Sequence, residues 1–457
     1  MINLKLWSLG WLLLFSVGQL SAERNYRYRV NLKDKEGTAY SVENPQAFLS
    51  ERALERRSRQ GLSIDETDLP ISQIYIEELL KTGARLVVTS KWNNTVVLEI
   101  IDTIQMEKVK EMSFVSSIKK VWTQPDSVPP RNKKRKEEIT NKIKESGYYY
   151  GKAFRQITIH GGDSLHAAGF TGRGMHVAVI DAGFYNADKI KFFKKMSLLG
   201  TRDFVNPESD IYEENSHGMK VLSCMAANRK DVFVGTAPEA SYWLLRSEDN
   251  DSEQPIEEDY WAAAIEFADS VGVDVINTSL GYYEFDEGYP AYRYRDLNGH
   301  YSLMSHSASM AADKGMVVVC SAGNSGRGAW KKITPPGDSE NVITVGALTK
   351  SLINAEFSSI GNTSDGRIKP DVMAIGVNSV VSGNDGTVSK ANGTSFASPT
   401  MCGVVTCFWQ ACPWLTAKEV VKVVQQAGDR VDYPDNIYGY GVPNLWKAYQ
   451  NELEKKK

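Results

Sequence analysis

Four short stretches place a chemically capable side chain among small neighbours. In Asn392-Gly393-Thr394-Ser395-Phe396-Ala397-Ser398-Pro399, five small residues and a proline stand where an apolar helix begins. Such a start needs a cap, and Asn392 or Thr394 could serve. The density of small side chains points further, to something that must approach the backbone. A serine there offers a nucleophilic Oγ, an outward backbone N–H and a helix dipole that favours negative charge. Asp181 closes the apolar run "HVAVID", where a carboxylate is unfavourable unless paired. Alone it reads either as an orienting acid or as the aspartate that doubly wound phosphatases and receiver domains also carry. His217, in "NSHGMKVLSCMAA", is one of six histidines and has a glycine after it and a helix start beneath it. Taken singly it reads as structural or as a base. Asn324 ends "VVVCSAGNSG", either as a turn residue or as a side-chain donor to a developing oxyanion. Acid, base, amide and nucleophile at four element ends are the equipment of nucleophilic acyl transfer.

The elements that must hold these residues are legible from residue 151 onward. "MHVAVID", "SYWLLR", "VDVINTSLG", "MVVVCSAGN" and "VITVGAL" are near-continuous apolar runs, as expected for strands buried on both faces of a parallel sheet. Helical stretches at 218–227, 256–271 and 301–314 separate them. This predicts an α/β open sheet of about 300 residues, with function at the carboxyl ends of the strands. Before it, 26–122 predicts a small α+β unit: a strand at 26–31, helices at 44–60, 71–82 and 104–112, two strands turning at Asn93-Asn94, and a last strand "VSSIKKVW". Helices are expected on one face of its sheet. Between the units, "PDSVPPRNKKRKEEITNKIKES" combines prolines with a dense charge run and reads as a solvated linker open to proteolytic nicking.

Composition narrows the function classes. The 457 residues are 42% apolar and 24% charged, enough core for two or three domains and too few charges for disorder. A net charge of −3 favours neither nucleic acid nor an anionic membrane surface as partner. Lys5, an apolar run over 6–17 and the small-residue site Leu20-Ser21-Ala22 predict an export signal. The run is short for a membrane anchor, and no stable membrane span is expected elsewhere. Cysteines 224, 320, 402, 407 and 412 have neither a disulfide framework nor zinc-like spacing, so they read as small apolar packing. "SEDNDSEQ" at 247–254 reads as a solvated acidic loop, and no contiguous calcium loop is evident.

Residues 150–450 resemble the subtilisin-like serine peptidases, the subtilases. "VAVIDAG" is similar to the family's aspartate motif, "NSHGMKV" to its histidine motif, "SAGN" to its oxyanion asparagine and "GTSFASP" to its serine motif. "KPDVMAIG" and "GYGVPN" are also similar, and the order acid, base, nucleophile is the subtilisin one. The resemblance implies a subtilisin-like, mostly parallel α/β sheet with helices on both faces. It also implies a triad of Asp181, His217 and Ser395, and an oxyanion hole from Asn324 and the Ser395 N–H. By family geometry, Ser279-Leu280-Gly281 and Ser321-Ala322-Gly323 should sandwich an extended substrate by β-augmentation. One departure is Met219 and Lys220, where many members have Thr and a second His; altered packing is expected there. The first unit is similar in layout to the family's inhibitory propeptide.

The expected organisation is thus a signal at 1–22, an inhibitory propeptide-like domain at 23–124, a processing linker at 125–150 and a peptidase domain at 151–457. The expected partners are protein or peptide substrates and the chain's own propeptide. No cofactor is required and no metal site is readable, although structural calcium is common in the family. The expected compartment is periplasmic, cell-surface or secreted. Two alternatives stand beside this reading: an inactive subtilase-like scaffold that binds peptides, and another α/β hydrolase or phosphatase using Asp181. The second lacks a G-x-S-x-G elbow and a phosphate-cradling loop.

Overall fold

The computed structural model describes residues 25–125, 138–141 and 149–456. The expected export signal and most of the charged linker lie outside the described residues.

The first unit contains β1 (Tyr26–Leu32), α1 (Glu51–Arg59), α2 (Gln73–Leu80), β2 (Arg85–Ser90), β3 (Thr95–Ile100), α3 (Thr103–Lys110) and β4 (Val115–Thr123). Its antiparallel sheet has the order β2-β3-β1-β4. Alternation along β3 decides what each face does. Val96, Leu98 and Ile100 pack with Leu79 of α2 and Met106 and Val109 of α3. Val97, pointing the other way, joins a core with Trp261 and Tyr260 of the second unit. The helices therefore lie on one face and the peptidase-like unit covers the other. The helix expected over 44–60 is shorter, because the Ser50 side chain accepts a hydrogen bond from the Ala53 N–H and caps α1.

The second unit opens with α4 (Phe154–Thr158) and α5 (Gly162–Ala167). There follow β5 (His176–Asp181), β6 (Ser197–Asp203), α6 (His217–Ala226), a ribbon of β7 (Asn228–Arg229) and β8 (Phe233–Val234), β9 (Ser241–Arg246) and α7 (Ile256–Ser270). The chain continues through β10 (Val275–Thr278), α8 (Leu303–Asp313), β11 (Val317–Ser321), β12 (Ile343–Leu348) and β13 (Val372–Ile375). It ends with a ribbon of β14 (Ser379–Ser382) and β15 (Val388–Ala391), then α9 (Thr394–Ala411), α10 (Ala417–Gln426) and α11 (Leu445–Lys455). Seven strands form a parallel sheet in the order β13-β12-β11-β10-β5-β9-β6. Both faces are covered. Val177 and Val179 of β5 pack with α6 and α9 residues such as Val221 and Val404. Ala178 and Ile180 pack with Trp261 of α7 and Ala308 of α8. The chain order reverses around β5, with β9 on one side and β10 on the other. A crevice therefore opens beyond the carboxyl ends of these strands, where Asp181 and Ser279 lie.

All five cysteines are free and buried, in keeping with a packing role. No helix among the described residues is long and apolar enough to cross a membrane.

Candidate active site

Asp181 is fully buried at the end of β5. Its Oδ1 accepts hydrogen bonds from the Ala182 N–H at 2.8 Å and from His217 Nδ1 at 2.7 Å. His217 is the first residue of α6, and its own N–H donates to Asn215 Oδ1 at 2.8 Å. Gly218 makes the approach possible: a Cβ there would lie 2.5 Å from the Gly183 carbonyl oxygen and 2.8 Å from Asp181 Cβ. Burial by itself pushes the His217 imidazole down. The charge and hydrogen bond of Asp181, and then Glu248, outweigh it, while Lys220 opposes them; the pKa is raised overall. The ring packs against Phe396 at a centroid distance of 5.8 Å.

Ser395 sits in the first turn of α9. The proline in this helix explains much of the motif. Pro399 has no N–H, so the carbonyl of the residue four before it, Ser395, loses its helical donor. The Ser279 hydroxyl takes that place, donating to the Ser395 carbonyl at 3.0 Å. This ties the helix start to the end of β10. Ser395 Oγ in turn donates to the Ser279 carbonyl at 3.4 Å. Among the described residues no hydrogen bond joins Ser395 to His217; a rotation of the serine side chain is required to form one, and catalytic hydrogen bonds are commonly loose before substrate arrives.

Asn324 follows β11. Its Oδ1 accepts from the Thr394 N–H at 2.9 Å and from the Thr394 hydroxyl at 3.0 Å. Fixing the oxygen end leaves the amide –NH₂ as the group free to donate. Gly323, at φ 101°, turns the chain there, and a Cβ would meet Ser359 Oγ and Thr334 Oγ1 at 2.9 Å.

His217, Ser279, Leu280, Gly281, Asn324 and Ser395 line one cleft of about 600 Å³. Ser321, Ala322 and Gly323 do not reach it. The Ala322 N–H donates to the Val345 carbonyl at 3.0 Å, and its carbonyl accepts from Thr334 at 3.2 Å. The Gly323 carbonyl accepts from Ser359 at 3.0 Å and its N–H donates to Thr394 Oγ1 at 3.3 Å. The backbone groups of Ala322 and Gly323 pair within the domain, whereas Ser279, Leu280 and Gly281 border the cleft.

Two other expectations change. Lys220 lines the cleft and acts on His217 through its charge, beyond a packing effect. The stretch 247–254 is no simple solvated loop: Ser247 and Gln254 are buried, and Glu248 and Glu253 line the cleft. A run of acids and polar residues carries no local signal of this, because burial here is decided by α6 and the strand ends across the crevice. Among the described residues, no group of three or more His, Cys, Asp or Glu side chains is placed to hold a metal ion.

Comparison with known proteins bears on this geometry. A family model described as the subtilase family matches residues 172–441. One described as the peptidase S8 propeptide domain of Bacteroidota matches residues 27–140, running on into the stretch expected as linker. The chain is 30% identical over 325 residues to serine protease AprX of Bacillus subtilis strain 168, covering 60% of this chain and 66% of that protein. It is 29% identical over 293 residues to subtilisin DY of Bacillus licheniformis, 63% of this chain and 95% of that protein. Over 293 residues it is 30% identical to subtilisin NAT of Bacillus subtilis subsp. natto, at 63% and 68% coverage.

Proposed function

The chain belongs to the subtilase family and is by that membership a serine endopeptidase carrying a propeptide domain, and we propose that it cleaves peptide bonds through Asp181, His217 and Ser395 as an exported zymogen. The observation that carries this reading is the 2.7 Å bond from His217 to buried Asp181, opening on the cleft that Ser395 and Asn324 share.

A peptide lies along Ser279, Leu280 and Gly281 with its carbonyl over Ser395. Ser395 Oγ turns from the Ser279 carbonyl to His217 Nε2, gives up its proton and attacks. Asp181 holds Nδ1–H and stabilises the imidazolium that forms. The Asn324 –NH₂ and the Ser395 N–H bind the oxyanion, worth about 3–4 kcal/mol per donor in such sites. His217 then passes its proton to the leaving amine, and water, deprotonated by His217, releases the acyl group from Ser395.

The propeptide domain of residues 23–124 inhibits the peptidase domain of residues 151–457 until the 125–150 segment is cut. Residues 1–22 direct export to the periplasm, the cell surface or the medium. No cofactor takes part in the chemistry, and any bound calcium serves stability alone. The test is labelling with a serine-directed phosphonate together with mass analysis of processing. Wild type should be processed and modified at Ser395. Ser395→Ala, made in a host lacking other proteases, should remain unmodified and uncut. Normal processing of Ser395→Ala would refute self-cleavage, and peptidase activity in that purified variant would refute the triad.

A further inference from the structure

The cleft holds more carboxyl groups than the triad uses. Beside His217 and the Ser279 edge, its wall is formed by Glu248, Glu253 and Tyr282. Glu248 is half-buried and Glu253 lies at the exposed rim. Among the described residues, neither carboxylate has an ion pair or a side-chain hydrogen bond. Tyr282 is 2% exposed, and its hydroxyl is buried without a hydrogen-bond partner. Buried polar atoms in folded proteins are nearly always paired, so an orphaned hydroxyl beside two unpaired carboxylates marks a place where a donor is missing. Behind them lies a third acid, Glu257, buried and accepting hydrogen bonds from the Asp249 and Gln254 N–H groups at 2.8 and 3.3 Å.

The charges facing this corner are unbalanced. Lys220 is the cation among the lining residues, one turn along α6 from His217, and it makes no ion pair with either glutamate among the described residues; Arg246, behind the wall, acts on Glu248 only through its charge. Burial first, and then the Asp181 charge, push the Glu248 carboxyl up to about 7. Partial desolvation and the Asp286 charge also push Glu253 upward, less firmly because it lies at the rim. A cation seated between them would relieve both and give the Tyr282 hydroxyl a partner.

We propose that this corner is a subsite for a cationic side chain of the peptide substrate, Lys or Arg, held by Glu248, Glu253 and the Tyr282 hydroxyl. The proposal rests on the peptidase reading above. The chain's own sequence offers the matching chemistry: residues 131–136 read Arg-Asn-Lys-Lys-Arg-Lys, five cations in six, inside the segment to be cut during maturation.

The test uses the processed enzyme and a peptide series in which Lys, Arg, Gln, Leu or Glu is walked through each position around one cleavable bond. At one position Lys and Arg should raise kcat/KM over Gln on the order of tenfold or more, with Glu the poorest. Glu253→Gln, at the rim, should reduce the Lys-to-Gln ratio several-fold. Glu248→Gln should do the same, and Tyr282→Phe should lower the ratio by less. Raising the salt to 1 M should compress the wild-type ratio. A wild-type enzyme that cleaves the series with no position favouring Lys or Arg overturns the subsite, as does a ratio unchanged in Glu253→Gln and Glu248→Gln. Failure to cleave any peptide or to take the phosphonate would overturn the peptidase reading and the subsite with it.

Discussion

Asp259→Ala should release the inhibitory domain while leaving the peptidase able to fold. The helix-free face of the four-stranded sheet lies on α7, and one of its buried polar contacts there is Arg29. Its Nε and Nη2 donate to the two Asp259 oxygens at 2.6 and 2.7 Å. Both side chains are desolvated, at 8% and 2% exposure. Intact, such a pair gains little over a hydrophobic contact, because Coulomb attraction is offset by lost hydration. Removing one partner is another matter: it strands a buried guanidinium, at about 3–5 kcal/mol. At about 1.4 kcal/mol per decade, the cleaved propeptide domain should bind on the order of 10²–10⁴ more weakly. Asp259 would be uncovered in the free peptidase domain, so its loss there strands nothing. The neighbouring clasp of Arg57 on Asp269, at 3.0 Å to each carboxylate oxygen, remains to orient docking. Serial dilution of the processed complex, followed by recovery of activity on a small peptide, reads the dissociation constant. The double variant Arg29→Met/Asp259→Leu should bind more tightly than the single one, since the guanidinium is then no longer stranded, although buried Glu258 loses the charge that holds its carboxyl down. Inhibition unchanged in Asp259→Ala, or a double variant as weak as the single one, would refute the reasoning.

Asn324→Ala should lower kcat by about 10²–10³ with little change in KM, the size expected for one oxyanion donor; unchanged turnover would reduce Asn324 to a turn residue. Ser279→Ala leaves the Ser395 carbonyl, freed by Pro399, without a donor, and should lower stability by about 1–3 kcal/mol. Thermal unfolding in a Ser395→Ala background, where autolysis is absent, measures it. The pH profile of kcat/KM should report His217. The base must be neutral, so activity falls as pH drops through its raised pKa, and removing the raising charge in Glu248→Gln should move that acid limb to lower pH. Lys220→Gln removes a lowering charge and should move it to higher pH; limbs that stay in place in both variants would show that these charges do not reach the imidazole.

The sequence discloses most about elements whose surroundings are uniform. β5, β10, β11 and β12 are buried on both faces, so apolar runs mark them without knowledge of their neighbours. β6 (Ser197–Asp203) escaped because it is the edge strand, half exposed and ending in Thr-Arg-Asp. β13 (Val372–Ile375) escaped because only four residues pair, directly after Pro370-Asp371. At the site, Ser395, His217 and Asn324 were legible because glycines and small residues crowd around them, as backbone approach requires. Glu248 and Glu253 were not. Their place at the cleft depends on the crevice beyond the strand ends, which brings Glu248 beside a histidine 31 residues earlier in the chain.

The alternation in β1, Tyr-Arg-Tyr-Arg-Val-Asn-Leu, illustrates the same limit with a functional consequence. Read alone, its arginines belong to a solvated face. In the folded chain Arg29 is buried, and its partner is 230 residues away. A propeptide must hold the peptidase domain and then leave it. An interface of the same size built from apolar residues alone, without the ion pairs that interrupt the Val97–Trp261 core, would gain free energy in proportion to its area and release slowly. Buried ion pairs such as Arg29–Asp259, and Lys314 with Asp68 at 2.9 Å, demand correct register while adding little net affinity. A polar strand face, which looks like a surface, is therefore the kind of face that a detachable inhibitor needs.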